Sequence, residues 1–158
     1  MSYCNYDDVV AIKGDLILPK SVDVDGFTDR AAADIDVALS ERYIVPVATT
    51  NAQTVAVLKS IASDLACGRL ILSIAAAAED SNLQSYGKFL INRSISGDRN
   101  QGTIGLQDIR NGGYVLPGAT LKTGVTSAAL YKVGISSPAV GGLDEDKSYF
   151  EYLYEDFK

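Results

Sequence analysis

Four aspartates, Asp23, Asp25, Asp29 and Asp34, are spaced somewhat like the ligands of a calcium loop, where a hard cation needs several carboxylate oxygens converging from one tight turn. The match is poor. Glycine stands at the fourth position, phenylalanine at the fifth, and the last carboxylate falls inside a predicted helix, so solvated loop acids are the simpler reading. The paired acids Asp7 and Asp8, and Glu79 with Asp80, have the groups for acid and base work of the glycosidase kind. Helix first-turn charge and turn solvation explain them more cheaply. Gly102 with Gly105, and Gly112 with Gly113, invite comparison with phosphate-cradling loops, but neither has the spacing of a dinucleotide or P-loop motif, and Gly112 reads as a helix end plus turn. Lys88, Arg93, Arg99, Arg110, Lys122 and Lys132 are candidates for a surface that meets phosphate, the alternative being scattered solvated charge. Arg42 and Tyr43 beside Pro46 are either a binding pair or a tyrosine closing a helix against the core.

Histidine is absent from the chain. That removes the commonest general base, the commonest transition-metal ligand and the usual nucleophile triads. Cys4 and Cys67 are too few for a disulfide framework or a four-ligand metal site, and free thiols in a reducing compartment are expected. The composition therefore points to a protein with no catalytic centre, metal or cofactor. Net charge is −6 but unevenly spread: residues 1–80 carry −6, 81–142 carry +4, and 143–158 carry −4. Such asymmetry favours contacts with differently charged neighbours over free binding to nucleic acid. Asn5, Asp7 and Asp8 interrupt the first ten residues, so no signal peptide is expected. The longest apolar run, Leu70 to Ala78, falls short of the ~20 residues a bilayer needs, and no membrane span is expected.

These residues must be positioned by helices. At 158 residues and 47% hydrophobic content the chain suits one ordinary core. Its clearest segment runs from Thr28 to Pro46, with Thr28 as predicted N-cap, an apolar stripe of Ala31, Ile35, Ala38 and Leu39, and an end near Tyr43 imposed by Pro46. A first short helix is expected over residues 3–13, capped by Asn5 and stopped by Gly14, with Val9, Val10 and Ile12 facing the core. A stripe of Val55, Leu58, Ala62 and Leu65 marks another helix, capped at Thr50 or Asn51 and ending near Gly68. Arg69 to Ala78 either extends it past a kink at Cys67 and Gly68 or begins a new one. A helix with Tyr86, Phe89, Leu90 and Arg93 at helical spacing follows a turn at Glu79 to Asn82, and a last one runs from Thr103 to Arg110.

Beyond Gly113 recurring glycines separate alternating patches, which suits short strands or an extended segment. The final sixteen residues combine six acids with Tyr149, Phe150, Tyr152, Tyr154 and Phe157, and read as an arm that orders on a partner. The alternative is a terminal amphipathic helix packed on its own domain. The expected fold is mainly α: a small bundle of four to five helices over residues 1–113, an extended, partly β segment over 114–142, and an acidic aromatic C-terminal arm over 143–158.

The order AAADIDVALSERYIVPV, LKSIASDLACGRLIL and LQDIRNGGYVLPG resembles the tailed-bacteriophage head-tail connector proteins, the small helical neck adaptors below the portal. In that family a helix ending in an arginine–tyrosine pair and a nearby proline precedes a helix of the LK-x-I-A-x-D-I-A kind and a short helix closed by glycine. Arg42, Tyr43, Pro46, Leu58, Lys59, Ile61, Ala62, Asp64, Leu65, Ala66, Leu106, Ile109, Gly112 and Leu116 stand at such positions. The resemblance covers residues 3–118. It departs at Ala66, Cys67 and Gly68, where the family often has aromatic residues. It implies a structural subunit of a homo-oligomeric ring, commonly of twelve, that contacts sibling subunits, the portal protein and the next neck or tail component. DNA would pass through the channel without sequence-specific binding. The location implied is the virion neck, assembled in the host bacterial cytoplasm, with no membrane. The arm residues Tyr149 to Phe157 would anchor on a neighbour or the portal, and Tyr114 to Leu116 or Leu130 to Val133 would add to a neighbour's sheet edge. Two readings from other classes stand beside it: a small enzyme using carboxylates and tyrosines alone, and a cytoplasmic partner-binding module.

Overall fold

A computed structural model describes residues 2–14, 22–98 and 100–124. Its regular elements are five helices: α1 (Tyr6–Lys13), α2 (Val24–Leu39), α3 (Ala52–Ala78), α4 (Ser81–Ser96) and α5 (Leu106–Arg110). Among the described residues there is no β-strand, only the isolated bridges Tyr43–Leu121 and Asp98–Thr103. The arm residues Tyr149, Phe150, Tyr152, Tyr154 and Phe157, most of the segment 114–142, Arg99 and Lys132 lie outside the described residues.

Each helix of two or more turns starts on a side-chain cap. Asn5 accepts the Asp8 N–H at 3.0 Å while Asp8 accepts the Asn5 N–H at 3.0 Å, a reciprocal box that satisfies two otherwise orphaned donors. Of the core positions expected on α1, Val9 is fully buried whereas Val10 and Ile12 are half-buried. The α2 start differs from the expectation. Asp23, not Thr28, is the cap, accepting the Gly26 N–H at 3.1 Å, and a Cβ on Gly26 would lie 2.7 Å from that carboxylate. A cap followed by a glycine that leaves room for it thus begins the helix a turn earlier. Thr28 is buried inside the helix, its hydroxyl donating to the Asp25 carbonyl at 2.9 Å. The same helix stops at Leu39 rather than near Tyr43, and a turn carries the chain to the cis Val45–Pro46 bond.

Asn51 caps α3 by accepting the N–H groups of Gln53 and Thr54. This helix does not end or break at Gly68. It continues for 27 residues because Gly68 is where α4 comes closest, and what the glycine loses in helix propensity the neighbouring backbone fills. A Cβ on Gly68 would stand 2.8 Å from the Gly87 carbonyl oxygen, and one on Gly87 would stand 2.9 Å from that of Gly68. By length and composition α3 is long and apolar enough to cross a membrane. Here every residue from Ile61 to Gly68 is buried, with α1, α2 and α4 packed around it. It is the central core helix; only Val55 of the expected stripe is exposed. Glu79 and Asp80 make the entire turn into α4, Asp80 capping it through the N–H groups of Asn82 and Leu83. So short a link, with Gly68 beside Gly87 and Asp64 beside Arg93, makes α3 and α4 an antiparallel hairpin.

The last helix begins at Leu106, later than Thr103, because Thr103 is held in the Asp98 bridge. After it the first residues of the expected extended segment lie against the helices. Leu116 is buried in the core, the Thr54 hydroxyl donates to the Pro117 carbonyl at 2.7 Å, and the Lys122 N–H donates to the Arg42 carbonyl at 2.8 Å. Leu116 and these bonds, with Tyr114, Ala119 and Leu121 packed against the core, hold residues 114–122 on the helices.

Candidate functional site

The end of α2 and the end of α5 meet in one compact knot. Tyr43 is fully buried, and its hydroxyl oxygen accepts the Leu116 N–H at 3.1 Å. On either side of it the Ile44 N–H donates to the Thr120 carbonyl at 2.9 Å, and Lys122 bonds back to Arg42. The Arg42 guanidinium donates to the Arg110 carbonyl at 3.3 Å, at the carbonyl-rich end of α5 where positive charge is favoured. It lies so close over Gly112 that a Cβ there would stand 2.2 Å from Nη1, and Gly112 has φ +83°, a left-handed conformation. Arg110 makes a two-bond ion pair with Glu41, at 2.8 and 3.1 Å. That pairing holds the Glu41 carboxyl below its ordinary range and the Arg110 guanidinium above its own. Arg42, Tyr43 and Gly112, which the sequence singles out together, are thus brought into one cluster with Leu116. Pro46 is exposed and outside it.

Four of the sequence-marked acids do structural work. Asp23 caps α2, Asp34 pairs with Arg69, Asp80 caps α4, and Asp8 combines its cap with an ion pair to Lys59 at 2.7 Å. Burial opposes ionisation of Asp8, but the Lys59 ammonium and the Asn5 N–H outweigh it and hold the carboxyl below its usual range. Among the described residues no group of three histidine, cysteine or acidic side chains could hold a metal ion. Of the described basic residues singled out for a phosphate surface, Arg93 is taken by Asp64 and Arg110 by Glu41. An open groove lined by Ala48, Thr49, Thr50, Asn51 and Gly118 offers hydroxyl and amide groups and no titratable side chain.

Two polar features were not anticipated. Asp64 is nearly fully buried on α3 and takes both Nε and Nη2 of Arg93, at 2.7 and 2.5 Å. Its signal in the sequence is a lone carboxylate in the apolar stretch IASDLAC, which demands a partner. The Tyr3 hydroxyl donates to Asp36 at 2.5 Å and accepts the Val47 N–H at 2.8 Å, tying the N-terminus to the segment after Pro46. Burial first, and the Asp36 carboxylate second, raise the Tyr3 phenol well above its usual range. Cys4 and Cys67 are buried free thiols, and burial followed by the nearby Asp64 charge pushes Cys67 up to about 11. Neither is poised as a nucleophile, which needs a thiol shifted the other way. The arrangement is one of side chains holding backbone in place. Compared with known proteins, the chain matches no family model, no curated protein and no solved structure.

Proposed function

We propose that this chain is a structural subunit of a head-tail connector, forming a homo-oligomeric ring beneath the portal of a tailed phage and joining the DNA-filled head to the next neck or tail component. The observation that carries the reading is the knot. Arg42, Tyr43, Gly112 and Leu116 occupy the resembling positions in the sequence, lie about seventy residues apart in pairs, and touch one another in the fold. Residues that recur together because they form one structural unit behave this way; a chance scatter of core residues does not require it.

The charge division suits the same role. A head-to-tail interface closes a ring only when one surface complements a different one, and the uneven charge along the sequence, −6, +4 and −4, is compatible with that need. DNA then passes through the channel without sequence-specific contact, and the subunit works by shape and mutual burial.

The test is native mass spectrometry and negative-stain imaging of the full chain with and without the portal complex of the same particle. A ring, or a portal-bound assembly, is the expected result. A chain that stays monomeric and indifferent to portal overturns the proposal, and turnover of a small molecule would favour the enzyme reading instead.

A further inference from the structure

The solvent side of α4 presents an aromatic pair. Tyr86 and Phe89, one helical turn apart, are 40% and 44% exposed and stack with centroids 6.4 Å apart and planes inclined by 18°. The Arg93 guanidinium, fixed from behind by Asp64, sits 5.5 Å over the Phe89 ring and holds its orientation. Lys88 is exposed on the same helix, and from Ser81 to Ser96 there are two cations and no carboxylate. Oriented, water-exposed rings on a helix with an exposed lysine suit an acidic, aromatic ligand.

Such a segment exists in the chain. Residues 143–158 hold six acids, two lysines and five aromatic side chains. We propose that the outer face of α4 is the docking site for residues 143–158 of a second copy of this chain, whose rings stack on the Tyr86–Phe89 pair while its carboxylates meet Lys88. The inference rests on the ring reading and names its donor and acceptor surfaces. Charge and composition are complementary, −4 against a helix without acids. Reach is sufficient: the described chain ends at Gly124, and the eighteen residues 125–142 span up to ~60 Å, against a body of this size roughly 35 Å across. Each copy gives one segment and receives one, the head-to-tail arrangement that closes a ring.

The experiment uses the full chain with Tyr86 replaced by the photoreactive p-benzoylphenylalanine, prepared as an equal mixture of isotope-light and isotope-heavy chains. After irradiation, crosslinked peptides are identified by mass spectrometry, and native mass spectra are recorded on the same sample. Crosslinks from position 86 into residues 143–158, with mixed light–heavy pairs, are expected. No such crosslink, or only pairs within one chain, overturns the proposal. A ring without the crosslink removes this docking site and leaves the ring reading standing; a monomer removes both. The double variant Lys88→Glu with Phe89→Ala, both exposed positions, is expected to keep the wild-type helical circular dichroism and raise the concentration for half-assembly at least tenfold. Unchanged assembly by that folded variant also overturns the proposal.

Discussion

The α3–α4 seam and the Arg42–Tyr43 knot are both joined across long sequence separations, but by opposite means. At the seam two helices satisfy their own backbones, so they associate by close approach, glycine against glycine, with one ion pair fixing their register. In the knot the backbone is irregular, and its N–H and carbonyl groups are satisfied by the Tyr43 hydroxyl, the Arg42 guanidinium and each other. The contrast assigns the sensitivity of each region. A seam is broken by an added atom or an unpaired charge; a knot is broken by a lost hydrogen-bonding group.

The largest expected effect is at the seam. Arg93→Met leaves the Asp64 carboxylate buried without its two donors, and the cost is about 3 kcal/mol of unfolding free energy. Adding Asp64→Leu removes the uncompensated charge, so the double variant recovers to within about 1 kcal/mol of wild type. Urea denaturation of the single and double variants measures both. Equal losses for the two would mean that the pair is not what registers the helices.

Cys67 sharpens the same point through pH. Its thiol lies at the seam, buried and beside Asp64, with a pKa raised from 9.0 to about 11. The folded state therefore holds the proton more tightly than the unfolded chain does. The resulting stability is fully present below pH 9 and is lost as pH rises through 11, a fall of about 2–3 kcal/mol. Against Cys67→Ala, which cannot titrate, the wild-type advantage measured by urea melts at pH 8 and pH 11 shrinks by that amount. A pH-independent difference would place the thiol in contact with water.

The two regions also differ in how far the sequence disclosed them. The elements of the seam were legible: Asn51, the stripe of Leu58, Ala62 and Leu65, and the helical spacing around Leu90 all belong to local patterns. Its continuity was one of two readings left open, because Cys67 and Gly68 look like a kink or a stop until Gly87 is seen against them, and that approach is a tertiary fact. The Thr28 cap failed for a local reason, since Asp23 with Gly26 offers an equally good start one turn earlier. In the knot the residues Arg42, Tyr43 and Gly112 stood out by type and order, yet their mutual contact and the docking of Leu116 depend on bonds between irregular segments that carry no period. The docking of Leu116 was not legible for that reason: a buried leucine lies in a segment whose composition reads only as extended or β.

Two tyrosines of the knot region give the most discriminating test, although the effects are the smallest. Tyr43→Phe keeps the buried ring and removes the acceptor of the Leu116 N–H, so a buried donor is left unsatisfied at a cost of about 1–2 kcal/mol. The Tyr114 hydroxyl is buried with no partner among the described residues. Tyr114→Phe removes a polar atom that already carries a desolvation cost and is therefore neutral or stabilising. The same atom deleted at two tyrosines should move the denaturation midpoint in different directions, and amide exchange at Leu116 should quicken only in the Tyr43 variant. Equal responses would mean that the knot is held by ring packing alone, and the hydroxyl that joins α2 to the returning chain would lose its assigned role.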